Sequence, residues 1–417
     1  LVGSEMCIRD RSISSEAVGV RVEEFLPTGT RLSFGVERQE TEEDGSGGRA
    51  RQDRYTLSAV QSLLRGLGPA ANLASLRQAR LATRISKYEL RGLAEALAEQ
   101  AEKAYWNCFL AEKRLEISRR SCDLAEAQRD EVRERIRLGQ LAAVEAAAAE
   151  AEVAQRREAL IQAQAAYEKA RLAMLRHIIG GDEQGWERPL LLRDDSVLPE
   201  VKPPALEWHL AAARLLRPDL AEARLQVERG DLEVVRTRNG LLPRLDLFIN
   251  LGCTLYAESF ADAADLERQR RDWEVGLRLS HALGNRAERA ALRRATLSAA
   301  EAREALTNAE RLAEVEVRTA WANLAHARER ISATAATRAA REESLRAETE
   351  KFRVGKSVSI LVAQVQRELM ASQVEEVAAV VSYRQAVVEF YRLTGTLLLR
   401  YGIAVPEAAA ADMPLLE

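Results

Sequence analysis

The chain has 417 residues, of which 47% are hydrophobic and 30% charged but only 5% aromatic. Alanine-rich stretches dense in Glu, Arg and Leu point to long helices packed through small residues rather than to an ordinary globular core. Lys plus Arg at 61 against Asp plus Glu at 64 gives a formal charge of −3, which excludes a nucleic-acid binder of high net charge. Four cysteines (Cys7, Cys108, Cys122, Cys253) without C-x-x-C spacing make neither a zinc cluster nor a disulfide framework, and Cys108 and Cys122, two heptads apart, read as small core residues. The four histidines are too scattered for a metal site. No apolar run approaches the roughly 20 residues of a transmembrane helix, so any membrane crossing has to use strands.

Residues 1–12, LVGSEMCIRDRS, carry no apolar core of a signal peptide and read as a non-native segment joined to a chain whose own N-terminus is missing. Residues 13–68 read as a first strand pair. Val18, Val20 and Val22 continue through a bend at Pro27 to Gly29 into Leu32, Phe34 and Val36, and the second member runs from Tyr55 to Leu63. The polar loop between them lies at 42–48. Residues 69–180 form a helical hairpin: no proline and one internal glycine, Gly92, interrupt Pro69 to Leu138, about 70 residues or roughly 100 Å of helix. Its seam steps by four and three through Leu90, Ala94, Leu97, Ala101, Ala104, Cys108, Ala111, Leu115, Cys122, Ala125, Val132 and Ile136, the period of a coiled coil. A tip at Gly139 leads to a second helix that stops at Gly180 and Gly181.

Residues 181–217, with four prolines and Pro218 just beyond them bracketing one short helix, are a connector. A helix over 218–242 leads into a second strand pair, 243–284, where Leu245, Leu247, Ile249 and Leu251 alternate with Asp246, Phe248 and Asn250, and Trp273, Val275, Leu277 and Leu279 alternate with Glu274, Gly276 and Arg278. About ten residues is the length a tilted strand needs to cross a bilayer. The loop at 262–265 is polar. Residues 285–395 repeat the hairpin, with helices over 286–353 and 357–394, and 396–417 are a tail. The two halves are related by an offset of 216: Gly68 with Gly284, Tyr105 with Trp321, Gly139 with Gly355, while Gly180 and Gly395 differ by one. A first-half counterpart of the helix at 218–240 is expected ahead of the first strands and is not in the sequence.

Gly-Lys-Ser at 355–357 lacks the upstream glycine and strand of a phosphate loop, and no nucleophile elbow or paired histidines at metal spacing occur. No enzyme, cofactor or metal is expected.

The ordered set of strand pair, long hairpin, connector, strand pair and long hairpin, with the runs AVQSLLRGLGPAANLASLRQAR, RPDLAEARLQVERGDLEVVRTRNGLLPRLDL and KFRVGKSVSILVAQVQREL, resembles the TolC-like outer-membrane efflux proteins over about residues 17–400. The resemblance implies a mainly α protein with membrane β: a two-fold repeat of coiled-coil hairpins, plus four strands per protomer in a trimeric 12-stranded barrel. It implies an outer-membrane location in a Gram-negative-type bacterium, with the helices in the periplasm. The function it implies is a passive duct of a tripartite efflux or type I secretion system, partnered by a periplasmic adaptor and, through it, an inner-membrane pump. The adaptor would dock at Arg137, Leu138, Gly139, Gln140 and at Arg353, Val354, Gly355, Lys356. Entrance-gate positions would be Glu145, Phe352, Leu361 and Gln364, although Leu361 and Gln364 stand where family members carry aspartates and Phe352 where they carry tyrosine. Outer-membrane lipid would meet Leu245, Leu247, Ile249, Leu251, Trp273, Val275, Leu277 and Leu279. The alternative is a non-catalytic coiled-coil scaffold or stalk, which calls for no alternating strands.

Overall fold

The computed structural model describes residues 13–43, 49–179, 183–193, 205–257 and 268–404. The expectations for residues 1–12, most of the first polar loop (44–48), the stop at Gly180 and Gly181, the middle of the connector (194–204), the loop at 262–265 and the tail beyond 404 lie outside them. In chain order the elements are strands β1 (Ile13–Phe25), β2 (Thr30–Glu43) and β3 (Arg49–Ser62), a short helix α1 (Pro69–Asn72), and the long α2 (Ala74–Arg137). After α3 (Val144–Ile178) come a 3-10 turn at Glu183–Glu187, α4 (Leu206–Leu216), α5 (Pro218–Gly240), and strands β4 (Arg244–Ala257) and β5 (Arg268–Ser280). The chain closes with α6 (Arg286–Arg353), α7 (Ser359–Leu393) and α8 (Leu397–Arg400). The chain separates into two compact units: Leu1–Arg84 with Arg224–Ala305, and Ile85–Ala223 with Leu306–Glu417.

The first unit holds one antiparallel sheet in the order β1-β2-β3-β4-β5. Four strands are expected from the sequence; the sheet has five. The valine series from Val18 to Val36 is two strands, because the chain reverses at Pro27 to Gly29 instead of bending. Gly29 holds φ +94, and a Cβ there would lie 2.2 Å from the Gly66 carbonyl oxygen, so both its conformation and its neighbour require glycine. Leu26 donates to the Thr30 carbonyl at 2.8 Å and Gly29 to the Leu26 carbonyl at 2.9 Å, closing the turn. The turn is tied to the segment leaving β3: Gly68 donates to the Thr28 carbonyl at 3.2 Å, and the Asn72 amide donates to the carbonyls of Pro27 and Gly66 at 3.1 and 2.7 Å.

In the second unit the helices pack through small residues, as the seam predicts for its later turns. Cys108, Ala111, Cys122, Ala125 and Val132 of α2 are buried, and so are Val317 and Leu324 of α6. At the start of the seam the expectation fails. Leu90 and Leu97 are half exposed, and the inward positions belong to Arg91 and Glu95. That pair is stable inside because it is matched: Arg91 Nε meets Glu95 Oε1 at 3.2 Å, and Arg91 Nη2 donates to the Gly395 carbonyl at 2.9 Å. Burial pushes the Glu95 carboxyl above its ordinary range, opposed by Arg91.

Two aromatic clusters complete the core. Trp106 and Phe109 pack edge to face at 5.7 Å against Val381. Phe390 joins Val317, Ala320, Leu324, Tyr383 and Leu393, with Trp321 at 5.6 Å. His209 of α4 is buried beside Phe390 and Trp321, with ring centroids at 4.6 and 5.9 Å, and neither of its nitrogens has a hydrogen-bond partner. Among the described residues no helix is long and apolar enough to cross a membrane.

Candidate functional site

The sheet has two chemically distinct faces, set by the period-two alternation and by a register that runs unbroken across all five strands. Val22 lies opposite Phe34, Phe34 opposite Leu57, Leu57 opposite Leu251 and Leu251 opposite Trp273, so one row crosses the whole sheet on one face. The adjacent row on that face is Leu32, Ala59, Ile249 and Val275, and Leu247 pairs with Leu277 and Leu245 with Leu279 beyond it. All eight residues singled out in the second strand pair therefore share this face. The side chains are exposed: Val22 at 64%, Trp273 at 76% and Leu277 at 65%. An exposed apolar band of this extent calls for an apolar surrounding.

Toward the β2–β3 loop the band ends in charge. Asp53 Oδ1 accepts from Arg38 Nε at 2.9 Å, and its Oδ2 accepts from Arg51 Nη2 at 2.8 Å. The opposite face is polar and carries small residues. Ser58 hydrogen-bonds Asn250 at 2.5 Å, and the Asn250 amide donates to Glu274 at 3.2 Å. Asp246 accepts from Ser62 at 3.1 Å and from Arg244 at 2.6 Å. The Arg278 guanidinium sits 5.3 Å from the Phe248 ring centre, and that ring lies against Gly276, where a Cβ would come within 2.7 Å of it. This polar network escapes a reading based on apolar spacing, but its signal is present as alternation with Ser, Thr, Asn and Gly.

The tips at Gly139 and Gly355 share one backbone geometry. Both glycines have φ +73. Gly139 donates to the Ile136 carbonyl and Gln140 to Arg135, at 3.0 and 2.9 Å; Gly355 donates to Phe352 and Lys356 to Lys351, at 3.1 and 2.8 Å. These paired bonds form the Schellman stop, which satisfies the last carbonyls of a helix through a left-handed glycine. Leu138 and Val354 project at 60% and 67% exposure, and the space around each glycine is open. Arg137 and Arg353 pair locally with Glu134 and Glu350, at 2.6 and 3.1 Å.

Of the gate positions, Glu145 lies in the first turn of α3, and Leu361, 44% exposed, in the first turn of α7. Gln364 donates to Glu368 at 3.4 Å. Phe352 meets the Arg135 guanidinium at 5.2 Å, a cation–π contact that joins the end of α6 to the end of α2. The structure does not gather the four positions into one contact cluster among the described residues. Arg135 is the tip residue missed by the sequence reading.

The chain combines an amphipathic antiparallel sheet with exposed apolar rows and two long helical hairpins. Residues 210–396, from α4 through the second hairpin, match the family model for outer membrane efflux proteins. The fold agrees across nearly the whole chain. It is similar to the outer-membrane channel OprN (TM-score 0.70, 19% identity, 93% of this chain and 82% of that one) and to the Campylobacter jejuni CmeC outer membrane channel (0.73, 14%, 97% and 82%). The outer membrane protein VceC of Vibrio cholerae gives 0.69 at 14% identity, covering 92% and 87%. No curated protein matches in sequence. What these channels share with the chain is the fold. The scaffold alternative called for no alternating strands and does not accommodate the sheet.

Proposed function

We propose that this chain is the passive outer duct of a tripartite efflux or type I secretion system, closed as a homotrimer and opened from the periplasmic side by an adaptor linked to an inner-membrane pump. The observation that carries the reading is the apolar band continuous over five strands and capped by the Arg38–Asp53–Arg51 cluster. One copy leaves two sheet edges whose backbone groups would be unpaired in lipid, each costing several kcal/mol, so the wall closes only with further copies. The two matching tips present the same exposed turn twice, which suits docking of repeated helical hairpins. The lumen is polar and the chemistry of transport needs no reactive group.

Arginine at Ile249 faces lipid in this reading and should destabilise the barrel by about 2–4 kcal/mol if near the midplane, whereas arginine at Asn250 faces the lumen beside Glu274 and should be tolerated. Heat-modifiable migration of trimers from outer-membrane fractions, measured with drug accumulation in a host lacking its own channel, reads both. An equal response of the two variants would remove the wall assignment.

A further inference from the structure

We propose that the apolar face of the sheet carries a binding site for a doubly phosphorylated lipid, and that its ligand is lipid A of the outer leaflet. The site rests on the membrane wall proposed above and adds one selective position to it. A cavity of about 410 Å³ opens on the apolar face, walled by Phe34, Tyr55, Leu251 and Trp273 and bordered by Arg271. The register explains the hollow. Tyr55, Cys253 and Arg271 stand side by side on β3, β4 and β5, and Leu57, Leu251 and Trp273 form the next row. Cys253 is the one small side chain among these six, so the face dips over β4. Predominantly apolar cavities of about 300–1,000 Å³ hold small ligands, and a hydrocarbon chain is the ligand that a membrane supplies.

Arg271 is held in a way that keeps its charge available. Its Nη2 donates to Gln269 Oε1 at 3.3 Å, and Gln269 Nε2 donates in turn to Cys253 Sγ at 3.3 Å. A neutral amide thus steadies the guanidinium beside the groove without neutralising it. Arginine takes phosphate in a bidentate fork, so a cation bordering an apolar slot suits an acyl chain with a phosphorylated headgroup.

A second cationic point lies nearby. Arg38 and Arg51 share Asp53, whose carboxylate takes up one of their two charges. Asp53 pairs with Leu255 and Leu255 with Gln269, which places this cluster one side-chain row beyond Arg271 and two strands away. At about 3.4 Å per residue and about 4.8 Å per strand, the two points are roughly 12 Å apart. One phosphate does not reach both, whereas a disaccharide with a phosphate at each end does. Glu40, the next acidic residue along this face of β2, lies one row further out. The placement also selects the leaflet. β3 leads into α1 and β4 follows α5, so Arg271 and Asp53 lie toward the end of the sheet remote from the helical connections. With the helices in the periplasm, that end meets the outer leaflet, where lipid A replaces the singly phosphorylated glycerophospholipids of the inner one.

The test uses trimers of the full chain extracted from outer membranes, stripped of lipid by detergent exchange and offered lipid A, lipid A without its phosphates, or phosphatidylglycerol. Native mass spectrometry counts the lipid retained. The expected result is retention of lipid A several-fold above either other lipid. Arg271→Gln should lower it several-fold, and so should Cys253→Phe, which fills the groove and leaves every charge in place. Arg270→Gln, on the opposite face, should change nothing. Arg51→Gln leaves Asp53 neutralised by Arg38 and should lower retention of lipid A toward that of its monophosphorylated form. Equal retention of the three lipids, or undiminished lipid A on either the Arg271→Gln or the Cys253→Phe trimer, overturns the site and leaves the wall standing. Phosphatidylglycerol held as well as lipid A, or an Arg51→Gln trimer that holds lipid A like the unmodified one, overturns the doubly phosphorylated ligand. Absence of heat-modifiable trimers from the unmodified chain overturns the wall and the site together.

Discussion

The two hairpins are alike at their tips and unlike at their middles. Helices α3 and α7 are both 35 residues long, and α2 and α6 are 64 and 68. The turns at Gly139 and Gly355 repeat the same φ and the same pair of carbonyl acceptors. Midway, Tyr105 and Trp321 occupy equivalent positions in different surroundings. Tyr105 lies against the Trp106–Phe109–Val381 cluster, while Trp321 packs with Phe390 and the buried His209. A turn is held by backbone bonds and one glycine, so two copies of it stay alike. A helix middle is held by side-chain volume, and each half has refilled its core with different connector residues: Leu192 in the first, and Leu206, Leu210 and His209 in the second.

That contrast breaks most easily at the core. Phe390→Ala removes a fully buried ring and should destabilise the fold by about 3–5 kcal/mol, read by chemical denaturation. A loss below about 1 kcal/mol would mean that the second-half cluster is not what holds α4 and α7 to α6.

The tips should behave in the opposite way. A β-branched side chain at Gly139 or Gly355 meets no neighbour but has to adopt a left-handed backbone, at about 1–2 kcal/mol of local strain. Gly139→Val and Gly355→Val are expected to leave trimer yield unchanged and to lower export, measured as intracellular drug retention. Unequal retention by the two variants would sharpen the comparison by showing that one tip carries the docking. Normal export by the double variant would take both turns out of the mechanism.

The smallest effect concerns His209. Burial holds its imidazole below the ordinary value of 6.5. The unfolded chain therefore binds the proton first, and stability falls as pH drops through the unfolded value, by at most about 1.4 kcal/mol per pH unit. His209→Phe should flatten the melting temperature between pH 7.5 and 5.5 relative to the unsubstituted chain. Parallel profiles for the two proteins would assign the acid response elsewhere. Asp219 acts in a lower window: burial there opposes ionisation, but Arg217 at 2.7 Å and the Leu220 amide prevail and hold the carboxyl below its ordinary value of 3.8, so its contribution is lost only as pH falls below that value.

Elements bounded by backbone chemistry were legible in the sequence. Helix α6 begins two residues after Gly284, α5 begins at Pro218, and β4 and β5 show their alternation without competing signals. The first sheet hairpin was less legible, because apolar spacing carries on through Pro27 to Gly29 and conceals a reversal that depends on a remote contact with Gly66. Arg91 and Glu95 were not legible as buried, since charged residues four apart look like a solvated helix face. Only the Gly395 carbonyl, about 300 residues away, explains their place. The tip turns were visible as single glycines, whereas the Arg135–Phe352 contact joins two halves that no local pattern connects.

Cys108 gives the helical seam a chemical history. Burial first, then the nearby Glu112, pushes its thiol up to about 11, so at neutral pH the thiolate that oxidants attack is scarce. In the periplasmic location proposed for these helices the surroundings are oxidising. Cys122 is also buried, fourteen residues further along the same helix, about 21 Å away. Sulfur atoms that far apart cannot join, whereas in the unfolded chain the same two residues can meet across a short loop. A bridge between them would therefore record a chain oxidised before α2 formed, and the formed helix is what keeps the two thiols apart and reduced.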